Sequence, residues 1–299
     1  MATLVQQPLV MECTGWDSYR LIDSGAGRKW EGFGPYSFIR PEPQALWQPR
    51  IDNWQAAGEF IPGSNEDGGG RWQFSGQMQN RLPDDGWELA WNEVRFTARP
   101  TPFRHLQFFP DMAPVWDWMR ARLAGMDAAE TMNLFGYTGL GTLALSQHGR
   151  VTHVDASKKS VAQARENAAL SGMAERPIRW LTDDAAKFTA REVRRERRYD
   201  GIILDPPKFG RGPEGEVWRL EEHLPGLVTD CARLLDADSR FLFLTVYAVR
   251  MSSLAIAGLL EEALSHLPGR IEHGDLAVRE EGEGARLLPT AIFARWSNP

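Results

Sequence analysis

The sequence predicts an α/β protein: a mostly parallel, doubly wound sheet that ends in an antiparallel hairpin, preceded by a small β-rich domain. Three observations predict it. From Thr131 onward, short apolar runs alternate with helical segments, the order that a parallel sheet requires. Two extended runs, 270–277 and 286–296, close the chain around a polar turn at 279–284, which places an antiparallel edge on that sheet. Residues 1 to about 104 instead hold short alternating runs divided by turn chemistry, with seven of the twelve tryptophans.

Composition sets the bounds. At 299 residues, 42% hydrophobic and 25% charged, the chain reads as a soluble globular protein of about two domains. A net charge of −6 gives no global attraction to nucleic acid or anionic membrane, so any such partner needs a local basic patch. Cys13 and Cys231 lie far apart without metal-ligand spacing, which argues against a disulfide framework or a metal site and for a reducing cytoplasm. Neither a charged-then-apolar leader nor an apolar run near membrane-spanning length is present. The expectation is a cytoplasmic protein with no membrane partner and no metal.

In the first region, strand-like runs at 19–22, 36–39, 71–74, 87–91 and 94–98 are separated by turns at 23–25, 34–35, 65–70 and 83–86. Its tryptophans are read as core and cross-strand packing rather than stacking platforms for bases, with one or two exposed. Arg99-Pro100-Thr101-Pro102 makes a stiff boundary, dividing a domain 1–104, with substrate recognition as its candidate role, from a domain 105–299. A helix over 113–123 follows Phe108-Phe109-Pro110-Asp111 near the mouth of the sheet, where Phe109 either covers a ligand or packs in the core.

The chain is organised around 131–157. Met132, Leu134 and Phe135 surround Asn133 in a buried strand, and Gly136, Gly139 and Gly141 follow where backbone must turn sharply. A helix over 142–149 and a strand over 151–154 then deliver Asp155. A ligand carrying a ribose would meet backbone N–H groups at the turn and a carboxylate one βα unit later. The spacing G-x-x-G-x-G differs from the dinucleotide order, and no basic residue waits in the turn for a pyrophosphate. S-adenosylmethionine is therefore favoured over a nicotinamide or flavin cofactor, the plain alternative being a tight turn in some other α/β domain.

Beyond it, Ser157 caps a helix over 158–171 that buries Val161, Ala164, Ala168 and Ala169 and stops at Gly172; Asn167 is a polar group satisfied inside the domain. A strand at 178–181 leads to Asp183-Asp184-Ala185. The next helix, 186–197, ends in the one basic concentration of the chain, Arg191, Arg194, Arg195, Arg197 and Arg198, read as a solvated helix end or, less simply, a nucleic-acid contact. A strand at 201–204 runs into Asp205-Pro206-Pro207-Lys208-Phe209 and a Gly/Pro-rich loop, 210–215. Helices at 224–235 and 252–267 flank a strand at 241–246.

Four successive strands thus deliver Asn133, Asp155, Asp184 and Asp205 to one sheet edge, where ligands bind in open α/β sheets. Asp155 can accept from ribose hydroxyls and Asp184 from an adenine amino group. Asp184 is preferred to Asp183 because it directly precedes Ala185, helix capping being the bland role for either. Pro206 and Pro207 remove two backbone donors, so neighbouring carbonyls and the Asp205 carboxylate are expected to form a rigid acceptor rim without ladder partners. Lys208 and Phe209 add a cation and a ring for stacking.

NLFGYTGLG, VTHVDAS, WLTDDA, DPPKFGRG and LLPTAIFARW resemble the class I S-adenosylmethionine-dependent methyltransferases related to the large-subunit ribosomal RNA cytosine-C5 enzymes. The segment 23–47 is similar to the small β domain that precedes the catalytic domain in one branch. The resemblance implies a seven-stranded, Rossmann-like sheet, S-adenosylmethionine as cofactor and RNA as acceptor. It implies that Tyr137, Gly139, Asp155, Asp184 and Asp205 line the cofactor and acceptor pocket. Asn133, Phe135, Gly136, Thr138, Ala156, Ser157, Ala185 and Phe109 complete the candidate cofactor set, and Pro206, Pro207 and Phe209 the acceptor set.

Two departures shape the reading. Asn133 stands where the family carries an acid, and so offers a carbonyl but no charge to the cofactor's ammonium. Cytosine-C5 transfer needs a thiolate, yet the matching positions hold Thr245-Val246-Tyr247 and Lys208-Phe209. The PUA-like RNA-binding module of many relatives is also not seen. The expected reaction is methyl transfer to a nitrogen, or to a carbon activated without cysteine, with Asp205, Lys208 and Tyr247 as the proton-handling candidates. Alternatives are a non-catalytic cofactor-binding module, a methyltransferase acting on protein or a small molecule, and a nicotinamide-dependent oxidoreductase.

Overall fold

The computed structural model describes residues 1–63, 69–76, 82–247 and 250–298. Nine strands come first: β1 (Thr3–Leu4), β2 (Leu9–Cys13), β3 (Tyr19–Gly25), β4 (Arg28–Phe33), β5 (Tyr36–Pro41), β6 (Gly58–Pro62), β7 (Gly70–Phe74), β8 (Trp87–Trp91) and β9 (Val94–Ala98). Then follow α1 (Ala113–Arg122), β10 (Ala129–Leu134), α2 (Leu140–Leu145), β11 (Gly149–Asp155), α3 (Lys158–Leu170), β12 (Ile178–Thr182), α4 (Ala185–Arg194) and β13 (Gly201–Leu204). The remainder is β14 (Phe209–Arg211), β15 (Val217–Arg219), α5 (Leu220–Arg233), β16 (Phe241–Tyr247), α6 (Ser253–Ala263), β17 (Arg270–Arg279) and β18 (Leu287–Ser297).

These elements form two compact units: Met1–Met11 with Pro114–Leu276 and Ala291–Pro299, and Glu12–Ala113 with Ala277–Thr290. The division differs from a single break near residue 104. Residues 1–11 join the α/β unit because β1 adds to its sheet, Thr3 lying opposite Arg270 in a parallel pair. Residues 277–290 join the β-rich unit because Glu280 and Arg286 belong to its buried ion network: Arg286 Nη2 donates to Asp23 Oδ1 at 2.9 Å and to Glu280 Oε1 at 2.8 Å.

The large sheet runs β1-β17-β18-β16-β13-β10-β11-β12, with β2 also pairing β17, nine strands in all. Seven of them are the predicted set; β1 and β2 extend the edge, because their backbone donors and acceptors find partners on β17. β10 pairs parallel with both β11 and β13, while β16 and β18 are antiparallel. The sheet is thus mixed, mostly parallel with an antiparallel edge. Met132, Leu134, Ile202, Leu204, Leu242 and Leu244 are fully buried and share one core cluster with Phe188 of α4, Leu224 and Val228 of α5 and Ile256 and Leu260 of α6, the burial that drives a doubly wound fold. No helix among the described residues is long and apolar enough to cross a membrane.

Local boundaries shift where packing overrides sequence signals. α5 starts at Leu220 rather than 224 because Leu220 is itself fully buried. The buried face of α3 is Val161, Ala164, Asn167 and Ala168, whereas Ala169 is exposed. The Gly/Pro-rich loop holds a small hairpin, β14 against β15, with Gly210 opposite Trp218.

The β-rich unit contains the five-stranded sheet β3-β4-β5-β6-β7 and the β8-β9 hairpin. None of its seven tryptophans is exposed, so packing claims even the one or two expected at the surface. Fully buried Glu31 takes a forked pair of hydrogen bonds from Arg40 at 2.7 and 2.8 Å and a third from the Tyr19 hydroxyl at 2.8 Å, which is how a charge survives inside a small core. Of the predicted turn at 65–70, positions 65–68 lie outside the described residues.

Candidate active site

Parallel pairing in register sets the site. Leu134 stands opposite Val154 and Leu204, and Asp155 opposite Thr182. The residues that follow these strands, Phe135 to Gly139, Asp183-Asp184 and Asp205, therefore leave the sheet at one edge together with Asp155.

The turn after β10 is strained. Phe135 (φ 57°), Tyr137 (φ 47°) and Gly139 (φ 86°) are left-handed, and each non-glycine residue there costs about 1–3 kcal/mol. Surrounding bonds hold it. Gly136 N donates to Val154 O at 3.0 Å and Gly139 N to Gly136 O at 3.0 Å. Tyr137 N donates to Asp155 Oδ2 at 2.9 Å. Asn167 Nδ2 donates to the buried Thr138 carbonyl at 2.9 Å, so the polar residue inside α3 is satisfied by anchoring this turn. A Cβ on Gly136 would stand 2.5 Å from the His153 ring, and one on Gly139 2.7 Å from Ala164 Cβ. Those two glycines are required by close approach.

Beneath the turn runs a buried chain that sequence reading missed. Asn133 Nδ2 donates to Thr142 Oγ1 at 2.9 Å, and that hydroxyl lies 2.8 Å from His153 Nδ1. His153 is fully buried with no partner for Nε2. Burial, with Arg165 nearby, lowers its pKa to about 3, so it is neutral. The available signal was alternation: His153 lies two residues before Asp155 on one strand and faces the same side.

Asp155 is half-buried, and its Oδ1 also accepts Ser157 N at 2.8 Å. Burial pushes its carboxyl up, against the two backbone donors that pull it down. Ser157 caps α3 and Ala156 lies half-buried between them. Asp184 caps α4, Oδ1 accepting Lys187 N at 2.9 Å, so the capping role is real for this residue. Asp183 is engaged through both oxygens, by Arg191 and by Asp184 N. Buried Ala185 opens α4.

At the end of β13, Asp205 Oδ1 accepts the Thr245 hydroxyl at 2.6 Å. The acceptor rim expected here is corrected. Trp218 Nε1 donates to Pro207 O at 2.7 Å and Leu220 N to Lys208 O at 3.0 Å, because the β14-β15 hairpin folds back over both carbonyls. Pro206 is buried, Pro207, Lys208 and Phe209 are exposed, and Tyr247 is half-buried at the end of β16. Phe109 belongs to the β-rich unit, where its ring lies 5.4 Å from that of His105.

Both cysteines are buried, Cys13 in the β-rich unit and Cys231 inside α5, where burial raises its thiol pKa. Among the described residues no group of three or more His, Cys, Asp or Glu side chains could hold a metal. The carboxylates Asp155 and Asp184, on successive strand ends beside a turn without basic residues, suit a nucleoside that carries no phosphate.

No protein-family model matches the chain. Among curated proteins, it is 29% identical over 154 residues to the ribosomal RNA large subunit methyltransferase K/L of Vibrio cholerae, covering 49% of this chain and 21% of that one. It is 34% identical over 83 residues to the ribosomal RNA large subunit methyltransferase I of Alteromonas mediterranea, covering 27% of this chain and 21% of that one. The chain thus spans about a fifth of the length of these relatives. Among solved structures, the SAM-dependent methyltransferase from Agrobacterium tumefaciens matches with a TM-score of 0.92 and 39% identity over 99% of this chain and 95% of that one. A match of that identity over nearly the whole of both chains shows the family: this protein belongs to the S-adenosylmethionine-dependent methyltransferases, and S-adenosylmethionine is its cofactor.

Proposed function

We propose that the protein methylates RNA, at a nitrogen or at a carbon activated without a cysteine thiolate. The observation that carries the reading is the Asp205 carboxylate, held by Thr245 at 2.6 Å at the strand-end edge, while both cysteines are buried and unavailable as surface thiolates. The part-length likeness to two ribosomal RNA methyltransferases supports RNA as the acceptor.

In this reading Asp155 accepts from the ribose hydroxyls, and Asp184, with Oδ1 committed to capping, accepts from the adenine amino group through Oδ2. The Thr142 hydroxyl takes the Asn133 amide nitrogen, which leaves its carbonyl to accept from the cofactor's ammonium. Phe135, Gly136, Tyr137, Thr138 and Gly139 shape the cradle, with Ala156, Ser157 and Ala185 at its sides. The bound cofactor supplies an electrophilic sulfonium methyl. Exposed Phe209 stacks on the acceptor base beside Pro206 and Pro207, and Lys208 meets its phosphate. Asp205 aligns the acceptor and takes the one proton that leaves as the carbon–nitrogen bond forms, with Tyr247 at its side.

Transfer of labelled methyl from S-adenosylmethionine to separated RNA, protein and small-molecule fractions tests the proposal. Label in RNA, on an atom other than cytosine C5, is the expected result. Label only in protein or small molecules overturns the acceptor, and cofactor binding without any transfer identifies a non-catalytic module.

A further inference from the structure

The α/β unit carries a second concentration of positive charge that no contiguous stretch of sequence reveals. Arg122 of α1, Arg270 of β17 and Arg295 of β18 line one cleft of about 740 Å³ with Trp118 and Glu272. One carboxylate serves two guanidiniums: Glu272 accepts from Arg295 at 2.7 and 2.9 Å and pairs with Arg270 at 3.2 Å. Arg122 is exposed and has no carboxylate partner among the described residues; its guanidinium lies 5.8 Å from the Trp118 ring, and that of Arg295 4.6 Å. Trp118 is itself seated edge-on against Phe241 and Phe243, so the group is preorganised. Three guanidiniums against one carboxylate leave a local excess of positive charge in a chain whose net charge is −6.

The basic helix end that stands out in the sequence is different. There Arg191 pairs with Asp183, Arg195 with Glu192 and Arg197 with Glu130, so much of its charge is answered. The cleft also lies away from the strand-end carboxylates. Arg270 begins β17, and Phe241, which begins β16, stands opposite Ser297, so the cleft opens where the parallel strands start. Four residues of strand rise and three interstrand steps put it roughly 20 Å from Asp205.

Resting on the RNA reading, we propose that this cleft grips backbone phosphates of the acceptor RNA several nucleotides from the methylated base. Guanidinium forks match phosphate geometry, and the span means that only an acceptor longer than a few nucleotides engages both places.

The test uses the full chain and single-stranded oligoribonucleotides of about 4 and about 16 nucleotides, the range of single-strand site sizes. Anisotropy titrations are run across salt, alongside methyl transfer. Arg122→Glu and Arg270→Glu should each weaken binding of the longer RNA about tenfold and flatten the salt slope by about 0.7. Calorimetric binding of S-adenosylhomocysteine should be unchanged, which also shows the variants folded. The longer RNA should be the better methyl acceptor. Equal binding and salt slope in wild type and both variants, or equal methylation of the two lengths, overturns the cleft while leaving RNA as acceptor. A wild type that neither binds nor methylates RNA overturns both.

Discussion

His153 Nδ1 stands 2.8 Å from the Thr142 hydroxyl, and that hydroxyl holds the Asn133 amide at 2.9 Å. The three side chains tie β10, α2 and β11 together under the strained turn. Thr142→Val keeps the shape and removes the hydroxyl, leaving two buried polar groups unpaired, a loss of about 1–3 kcal/mol in folding stability. Denaturant unfolding should show that loss, and calorimetry a weaker S-adenosylhomocysteine complex. Thr142→Ser should restore both.

His153 also dictates an acid limit. Its pKa in the folded protein is lowered to about 3, against an unfolded value of about 6.5. The unfolded chain therefore binds the extra proton first, so the stability this neutral histidine contributes is complete above about pH 6.5 and is lost as pH falls towards the folded value. His105, lowered to about 4 by burial with Arg40 and Arg104 near, acts in the same window. Between about pH 6 and 5 each should contribute a slope of roughly 1.4 kcal/mol per pH unit. His153→Gln should remove its share in unfolding curves taken across that range; an unchanged slope would count against a neutral buried imidazole.

Acid also limits the cofactor site, through Asp155. Burial raises its carboxyl pKa, and in the proposed role towards the ribose the ionised form is the stronger acceptor for two hydroxyls. Cofactor affinity should thus fall as pH drops through that raised value, above the usual aspartate value of about 3.9. Asp155→Asn should weaken S-adenosylhomocysteine binding about tenfold to a hundredfold, the worth of a hydrogen bond to a charged group, and should abolish the acid-side fall. Calorimetric titration at a series of pH values checks both.

Thr245 donates to Asp205 at 2.6 Å from a fully buried position. Thr245→Val should lower the rate of methyl transfer about tenfold, corresponding to about 1.4 kcal/mol of lost orientation, while S-adenosylhomocysteine binds as before. Single-turnover transfer beside calorimetry separates the two, and a variant that lost binding instead would move Asp205 into the cofactor's shell.

What the sequence determined by itself was local chemistry in order. Alternating apolar runs mark β10 to β13, the glycines mark the turn, and Asp155, Asp184 and Asp205 stand at or within two residues of the ends of their strands, so parallel pairing had to bring them to one edge. Ser157 as a cap was legible for the same reason, since a cap and its helix are neighbours in the chain. Tertiary structure decided what depends on residues far apart. It turned the Pro207 and Lys208 carbonyls to Trp218 and Leu220, joined residues 1–11 to the large sheet and 277–290 to the β-rich unit, and set His153 beneath Gly136. It also gathered Arg122, Arg270 and Arg295 around Trp118 from three separate segments. Periodicity and turn chemistry act over a few residues, whereas burial and charge pairing act through space, and only packing chooses those partners.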